Sequence, residues 1–178
     1  MEIPLGRHEY VRMLRVERAV CEDWTALKQL RLRALEADAD AFGSTLADER
    51  ARPEAFWLQR ILVSAWFLAW SAEQAVGVAA LVTASGTLTE ERQLDAMWVA
   101  SAWRGRGVGE ALISAAIGHA SAHGATSVSL TVADGNERAR ALYQRMGFRP
   151  TGERSPRPRD PHQMRERFRL TLPDPGPV

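Results

Sequence analysis

Residues 94–124 read LDAMWVASAWRGRGVGEALISAAIGHASAHG and join an apolar run to a glycine-rich turn and a long helical pattern. The large side chains of residues 94–99 stand next to one another, which predicts a strand covered on both faces and central in its sheet. The pattern after the turn repeats at three- and four-residue spacing and ends at Gly124, as expected of a helix followed by a left-handed residue. The stretch therefore predicts a strand, a loop and a helix.

The loop between this strand and helix is rich in glycine and arginine. It is called the glycine loop here and consists of Arg104, Gly105, Arg106, Gly107, Val108 and Gly109. Because glycine lacks a Cβ atom, backbone N–H groups can approach an anion held at the positive end of the helix dipole. Arginine adds forked donors that suit phosphate oxygens. The glycine loop therefore predicts a diphosphate site.

Two common nucleotide motifs do not fit the glycine loop. A Walker loop requires GxxxxGK[ST], and the only lysine of the chain, Lys28, lies far upstream. A dinucleotide fingerprint requires GxGxxG or GxGxxA, whereas Glu110 and Leu112 occupy the final positions counted from Gly105 and Gly107. The pattern that remains is R-x-x-G-x-G.

A second pattern, VSLTVADGNERARALYQRMGFRPTGE, occupies residues 128–153. It predicts a strand and then a helix with Asn136 as N-cap, Tyr143 near its end and Gly147 after it. The two patterns follow one another about 30 residues apart, as a strand-helix-strand unit requires. In this order they resemble the signatures of the GNAT superfamily of acyl-CoA-dependent N-acyltransferases. The resemblance covers roughly residues 11–172.

The resemblance implies where acetyl-CoA, the expected cosubstrate, would lie. In GNAT folds the fourth and fifth strands splay apart around the pantetheine, which implies that the Val99 amide donates to the oxyanion and that Tyr143 protonates the leaving thiolate. Helical periodicity alone leaves a packing role open for Tyr143. The implied cosubstrate contacts are Met97, Trp98, Val99, Arg104, Gly105, Arg106, Gly107, Val108, Gly109, Asn136 and Tyr143.

The general base is not evident from the sequence. Many GNAT members carry a glutamate on the fourth or the fifth strand, and counting from the two motifs places Gln93 and Thr131 at those positions. Neither side chain can accept a proton at neutral pH. Three alternatives stay open: Glu91 acting through water, Asp95 acting through water, or an amine that arrives deprotonated.

The acceptor is expected to contact two parts of the chain, the loop after the first helix and the fourth strand. Phe42 and Gly43 resemble a GNAT loop that meets the acceptor, and with Asp95 they are the candidate acceptor contacts. The loop is also acidic, with Asp38, Asp40, Asp48 and Glu49. It could attract a cationic amine, or it could be a solvated connection with capping aspartates.

Composition excludes several other classes of protein. The 178 residues carry 23 basic and 22 acidic side chains, so the net charge argues neither for nor against an anionic partner. The single cysteine cannot form an internal disulfide, which suits a reducing compartment, and no apolar run has the length of a membrane span. We expect a cytoplasmic protein with no metal and no nucleic-acid or membrane partner.

The expected architecture is one α/β domain over residues 1–178, with a core at about 11–172 and a frayed tail at 173–178. It is a GNAT-like mixed, largely antiparallel sheet of about seven strands flanked by about four helices. Strands are expected at 10–16, 65–70, 75–83, 94–99, 128–132, 149–154 and 164–172. Helices are expected at 22–37, from near Pro53, after the glycine loop and at 137–146.

The expected activity is transfer of an acetyl or short acyl group from acetyl-CoA to a primary amine by direct attack. The acceptor could be a small molecule, an amino acid or a protein N-terminus, and a homodimer is left open. Two alternatives are a non-catalytic acyl-CoA binding or sensing module and a dinucleotide-binding protein.

Overall fold

The computed structural model describes residues 14–83 and 90–173. Its strands are β1 (Leu14–Arg18), β2 (Ala65–Ser71), β3 (Gln74–Thr83), β4 (Glu91–Val99), β5 (Ser127–Ala133), β6 (Arg149–Arg157) and β7 (Asp160–Thr171). The α-helices in these residues are α1 (Trp24–Ala37), α2 (Leu46–Arg50), α3 (Glu54–Val63), α4 (Val108–Ala122) and α5 (Glu137–Arg145). The strands form one sheet in the order β1-β2-β3-β4-β5-β7-β6.

The strand pairing confirms the predicted mixed, largely antiparallel sheet. β1 to β4 form an antiparallel meander, and β7 pairs antiparallel with both β5 and β6. Among the described strands only β4 and β5 are parallel, because α4 carries the chain back across the sheet between them. This parallel pair lies near the centre of the sheet, where the sequence predicts the strand at residues 94–99.

The sheet is covered by an apolar cluster on each face. The first cluster includes Leu112 of α4 and Phe168 of β7, and the second includes Leu27 of α1 and Trp57 of α3. β4 contributes to both clusters, with Leu94 in the first and Trp98 in the second. The prediction of a central strand covered on both faces is therefore confirmed.

The glycines and caps predicted for α4 and α5 are confirmed. Gly124 has φ 74° and Gly147 has φ 93°, the left-handed conformation that favours glycine after a helix. The Phe148 backbone N–H donates to the Tyr143 carbonyl at 3.0 Å, which closes the end of α5. At its start, the Asn136 side chain accepts from the Ala139 N–H at 3.1 Å.

The strands of the C-terminal hairpin are longer than the expected strands at 149–154 and 164–172, which leave residues 155–163 between them. β6 continues through Pro156, which pairs with Met164, and only residues 158 and 159 form the turn before β7. An edge strand tolerates proline because one side of its backbone is unpaired, and β6 is at the edge of the sheet. Proline therefore did not end the strand.

Other parts of the chain differ from the prediction or lie outside the described residues. β1 is described from Leu14 and continues to Arg18, two residues beyond the expected end. The short helix α2 was not predicted, although Thr45 caps it by accepting from the Asp48 N–H at 3.1 Å. Residues 84–89, between the expected third and fourth strands, and the tail after residue 173 lie outside the described residues.

Candidate functional site

β4 and β5 separate after three paired positions. Their parallel register joins residues 91–93 to residues 127–129. Beyond those residues β4 continues to pair with β3 as far as Val99, and β5 continues to pair with β7 as far as Ala133. The two central strands therefore diverge at their carboxyl ends, where the resemblance places the cosubstrate.

A β-bulge lies in β4 beside this opening. Asp95 pairs with Ala80 and Trp98 pairs with Val78, so β4 has one more residue than β3 between these pairs. Ala96, inside the bulge, has φ 53°, which is uncommon for a residue with a Cβ atom. The extra residue reverses the alternation of the strand. Met97 consequently packs on the first cluster, together with Leu94 three residues earlier.

The glycine loop requires glycine for two different structural reasons. Gly105 has φ 73° and Gly107, the N-cap of α4, has φ 83°, and a side chain is strained in that conformation. A Cβ atom at Gly109 would lie 3.2 Å from Leu142 Cδ2 and 3.4 Å from Met97 Cε. The first two glycines shape the backbone, whereas the third lets α4 approach α5 and β4.

The two arginines of the glycine loop already have protein contacts. The Arg104 Nε donates to the Val99 carbonyl at 2.8 Å, and its Nη2 pairs with the Asp38 carboxylate. The Arg106 guanidinium lies 5.6 Å from the centre of the Trp103 ring. Arg104 is thus held within the protein, and its predicted contact with a diphosphate stays a prediction.

Tyr143 lies in the first cluster with 8% of its surface exposed. Its ring meets Phe148 edge to face, with the centroids 5.9 Å apart. Burial, and then the negative charge of Asp95, raises the pKa of Tyr143 far above its ordinary value. The phenol is therefore protonated at neutral pH, so it can donate a proton or a hydrogen bond but cannot serve as a base.

The three residues predicted beside the thioester divide between the two faces of the sheet. Met97 and Val99 pack on the first cluster, the one that contains Tyr143. Trp98 lies in the second cluster, and its indole Nε1 donates to the Asp38 carboxylate at 2.7 Å. The side chain of Trp98 is therefore turned away from Tyr143, and only its backbone can follow the opening.

The acceptor loop, residues 38–45, lies beside the turn of the β6–β7 hairpin. Phe42 is buried with 9% exposure, and Gly43 is exposed. Arg159 of the hairpin turn donates to the Ser44 carbonyl at 3.2 Å. Asp95, exposed at the bulge, accepts from the Ala96 N–H at 2.7 Å. The charge of Asp95 also acts on Tyr143.

A buried ion cluster supports the acceptor loop from behind. Arg31 binds Glu49 with two donors, Nη2 at 2.7 Å and Nε at 3.2 Å, and both side chains are at most 4% exposed. The Ser44 hydroxyl donates to Glu49 at 2.6 Å, and Arg60 lies 3.3 Å from the same oxygen. The Arg31 guanidinium also stacks 4.6 Å from the Phe42 ring centre. The cluster therefore joins α1, α2 and α3.

Sequence reasoning missed this cluster, although α1 carries a signal for it. Arg31 lies four residues after Leu27 and three before Ala34, on the apolar stripe of the helix. An arginine on a buried face needs a buried partner. The sequence places Glu49 in an acidic loop that is either solvated or attracts an amine, whereas the structure shows Glu49 3% exposed and paired with Arg31.

We expect the free energy of unfolding to decrease in acid because of Glu49. Burial alone would raise the pKa of Glu49, but hydrogen bonds from Arg31 and Ser44 and the charges of Arg31 and Arg60 outweigh it and lower the pKa below its ordinary 4.5. A lowered folded-state pKa contributes stability that is present above the ordinary pKa and lost as pH falls below it. Urea unfolding from neutral pH to about pH 3 measures this loss.

The matched variants are Glu49→Gln and Glu54→Gln, the latter at an exposed position at the start of α3. The stability difference between wild type and Glu49→Gln should be largest at neutral pH and should shrink below about pH 4.5. The Glu54→Gln profile should follow that of wild type. A Glu49→Gln difference that stays constant down to pH 3 would contradict the prediction.

Glu91 is a poor candidate for the general base. Burial would raise its pKa, but hydrogen bonds from Ser129 at 2.6 Å and from Arg167, with the charges of Arg167 and Arg169, lower it. Its carboxylate therefore holds β4, β5 and β7 together. Gln93 is partly buried on β4 and Thr131 is exposed on β5. Of the carboxylates considered, Asp95 has the more accessible side chain.

No group of three or more His, Cys, Asp or Glu side chains in residues 14–83 and 90–173 could hold a metal ion. Within the same part of the chain, no helix is long and apolar enough to cross a membrane.

The sequence over residues 24–148 matches the acetyltransferase (GNAT) family. The chain belongs to this family. The match includes the glycine loop, the diverging strands and Tyr143. It confirms the resemblance inferred from the two motifs. The two site features that the family uses, a loop at the start of α4 and an opening between β4 and β5, are both present.

Among known proteins, a mycothiol acetyltransferase of Corynebacterium glutamicum is 38% identical over 79 residues, which are 44% of this chain and 26% of that protein. The chain therefore matches about a quarter of the length of this relative. In fold, it resembles a ribosomal-protein-alanine N-acetyltransferase from Brucella melitensis, with a TM-score of 0.73, 21% identity and coverage of 89% of this chain and 99% of the other.

A second solved structure, yncA from Salmonella typhimurium with its cofactor acetyl-CoA, has a TM-score of 0.74 and 18% identity. The similarity covers 93% of this chain and 97% of that one. At these identities, both structures support the GNAT fold of this chain.

Proposed function

We propose that this GNAT acetyltransferase moves an acetyl or short acyl group from acetyl-CoA to a primary amine by direct attack. The observation that carries the proposal is the opening between β4 and β5 at their carboxyl ends, with the glycine loop following β4 and Tyr143 in the first cluster beside Met97 and Val99. A thioester bound there would have backbone donors on one side and a protonated phenol on the other. The family membership and the acetyl-CoA of the Salmonella protein support the same cosubstrate.

In this proposal each part of the reaction is assigned to particular described residues. Backbone N–H groups of the glycine loop, at the start of α4, hold the diphosphate. The backbone of residues 97–99 follows the pantetheine, and the Val99 N–H stabilises the oxyanion. Asn136 is exposed at the start of α5 and would contact the cosubstrate in addition to capping the helix. Tyr143 donates to the departing thiolate.

The acceptor amine would enter between the acceptor loop and Asp95. Phe42 and Gly43 form one wall, and Asp95 supplies a negative charge near Tyr143 that suits an ammonium group. Asp95 could then receive the amine proton through water. The acceptor class stays open among small molecules, amino acids and protein N-termini. A single domain over residues 1–178, a cytoplasmic location and a possible homodimer belong to the same proposal.

The test is release of free CoA thiol when acetyl-CoA and a broad panel of amines are mixed with the protein. Acetyl-CoA alone should raise the melting temperature, and NAD should not. Thiol release with at least one amine supports the proposed activity. Stabilisation by acetyl-CoA with no release across the panel would instead support a binding or sensing module. Stabilisation by NAD but not by CoA would overturn the proposed cosubstrate.

Gly107→Val is expected to weaken acetyl-CoA binding. The valine would have to adopt φ 83° at the N-cap of α4, so the loop would shift its N–H groups away from the diphosphate. Loss of one charge-assisted contact corresponds to about tenfold to a hundredfold in the dissociation constant. Isothermal titration calorimetry measures this value.

The matched control is Gly118→Ala, on an exposed position of the same helix where an added Cβ meets nothing within 4 Å. It should bind acetyl-CoA as wild type does. Equal affinity of folded Gly107→Val and wild type would place the diphosphate elsewhere.

A further inference from the structure

Asp38 joins two loops that are far apart in the sequence. It is the first residue after α1 and begins the acceptor loop. Its carboxylate accepts from the Trp98 indole at 2.7 Å and pairs with Arg104 of the glycine loop, 66 residues away. The side chains of Asp38 and Arg104 are 34% and 31% exposed. One half-buried carboxylate therefore connects the acceptor loop to both β4 and the glycine loop.

Stabilisation of α1 does not account for this carboxylate. A negative charge at the C-terminal end of a helix opposes the helix dipole. Asp38 closes α1 through its backbone, because its N–H donates to the Ala34 carbonyl at 2.9 Å, and any residue but proline could do this. The negative charge of Asp38 is instead compensated by Arg104. Its favourable electrostatic interaction is therefore with the glycine loop and not with α1.

Arg104 also contacts β4 at the proposed reaction centre. Its Nε donates to the Val99 carbonyl at 2.8 Å, and Val99 is the residue whose N–H is proposed to hold the oxyanion. Phe42 of the acceptor wall lies four residues after Asp38 in the acceptor loop. Arg159 of the hairpin turn hydrogen-bonds to the same loop. A continuous set of contacts thus runs from the acceptor loop through Asp38 and Arg104 to Val99.

We propose that Asp38 is a positioning residue that couples the acceptor loop to the glycine loop, so that binding of acetyl-CoA orders the site for the amine. The inference rests on the proposed function. When the diphosphate orders the glycine loop, Arg104 becomes more fixed and holds Asp38 more firmly. The acceptor loop then opens less often. By linkage, an ordered acceptor loop also increases the affinity for acetyl-CoA.

The first measurement is hydrogen exchange of the backbone amides of residues 39–45, with and without saturating acetyl-CoA. In wild type, acetyl-CoA should slow exchange by about fivefold or more, the lower range of coupling between two sites. Asp38→Asn keeps an oxygen that can accept from Trp98 but removes the charge that holds Arg104. It should abolish the slowing. Asp40→Asn, an exposed carboxylate in the same loop, is the control and should retain it.

The second measurement is the dissociation constant of acetyl-CoA in a double-mutant cycle. Asp38→Asn should weaken binding by about fivefold when Arg104 is present and should have no further effect in Arg104→Ala. A role confined to the stability of α1 would lower the melting temperature of Asp38→Asn but would leave the slowing by acetyl-CoA unchanged. Retained slowing in Asp38→Asn, or additive losses in the cycle, would overturn the inference.

These outcomes separate the inference from the proposed function. If wild type binds acetyl-CoA by calorimetry but its acceptor loop exchanges at the same rate in both states, only the coupling by Asp38 fails. If wild type does not bind acetyl-CoA, the proposed function and the inference both fail.

Discussion

Replacing Tyr143 by phenylalanine is expected to lower turnover by about two to four orders of magnitude, the usual contribution of a positioned general acid. The ring would keep its edge-to-face contact with Phe148 and its place in the first cluster, so only the donor is lost. Acetyl-CoA affinity should change little, because the glycine loop is untouched. Steady-state kinetics and calorimetry on the same variant measure both quantities.

Leu112→Met is the matched control, a volume-conserving change of a buried residue of α4 in the same cluster. It should keep wild-type turnover. The raised pKa of Tyr143 adds a further expectation: its ionisation should not reduce turnover at or below its ordinary pKa of 10. Turnover of Tyr143→Phe within about threefold of wild type would leave the tyrosine as a packing residue.

Arg31→Ala is expected to lower the free energy of unfolding by about 3 to 5 kcal/mol, because removing one partner leaves a buried charge without compensation. The Glu49 side chain, 4% exposed in the wild-type protein, would keep only Ser44 and the more exposed Arg60 as partners. A loss of this size is a large part of the stability of an ordinary domain. Urea unfolding followed by circular dichroism measures it.

Arg33→Ala provides the comparison, since Arg33 lies on the exposed face of the same helix and donates one hydrogen bond, to the Ala75 carbonyl at 3.0 Å. Its loss should cost about 1 kcal/mol or less. If Arg31→Ala costs no more than Arg33→Ala, water or another side chain must reach Glu49 in the variant, and the ion cluster does not support the acceptor loop as argued.

Those features of the protein that depend on neighbouring residues could be predicted from the sequence. The strand-loop-helix at residues 94–124 and the second motif at 128–153 rest on periodicity, glycines and caps within a few residues. Their order as a strand-helix-strand unit is also typical of a parallel β4–β5 pair, because a helix between two strands returns the chain to the same edge. The family and the place of the opening followed from the same motifs.

The sequence by itself therefore determined the fold class, the central strand and helix, and the loop that begins α4. Tertiary structure alone decided the pairs of charges: Arg104 with Asp38, Arg31 with Glu49, and Arg167 with Glu91 across 76 residues. It also decided that β6 passes through Pro156, since only its place at the sheet edge makes the missing N–H harmless. Helical and strand periodicity is encoded within a few residues, whereas the partner of a buried charge is set by which distant elements pack together.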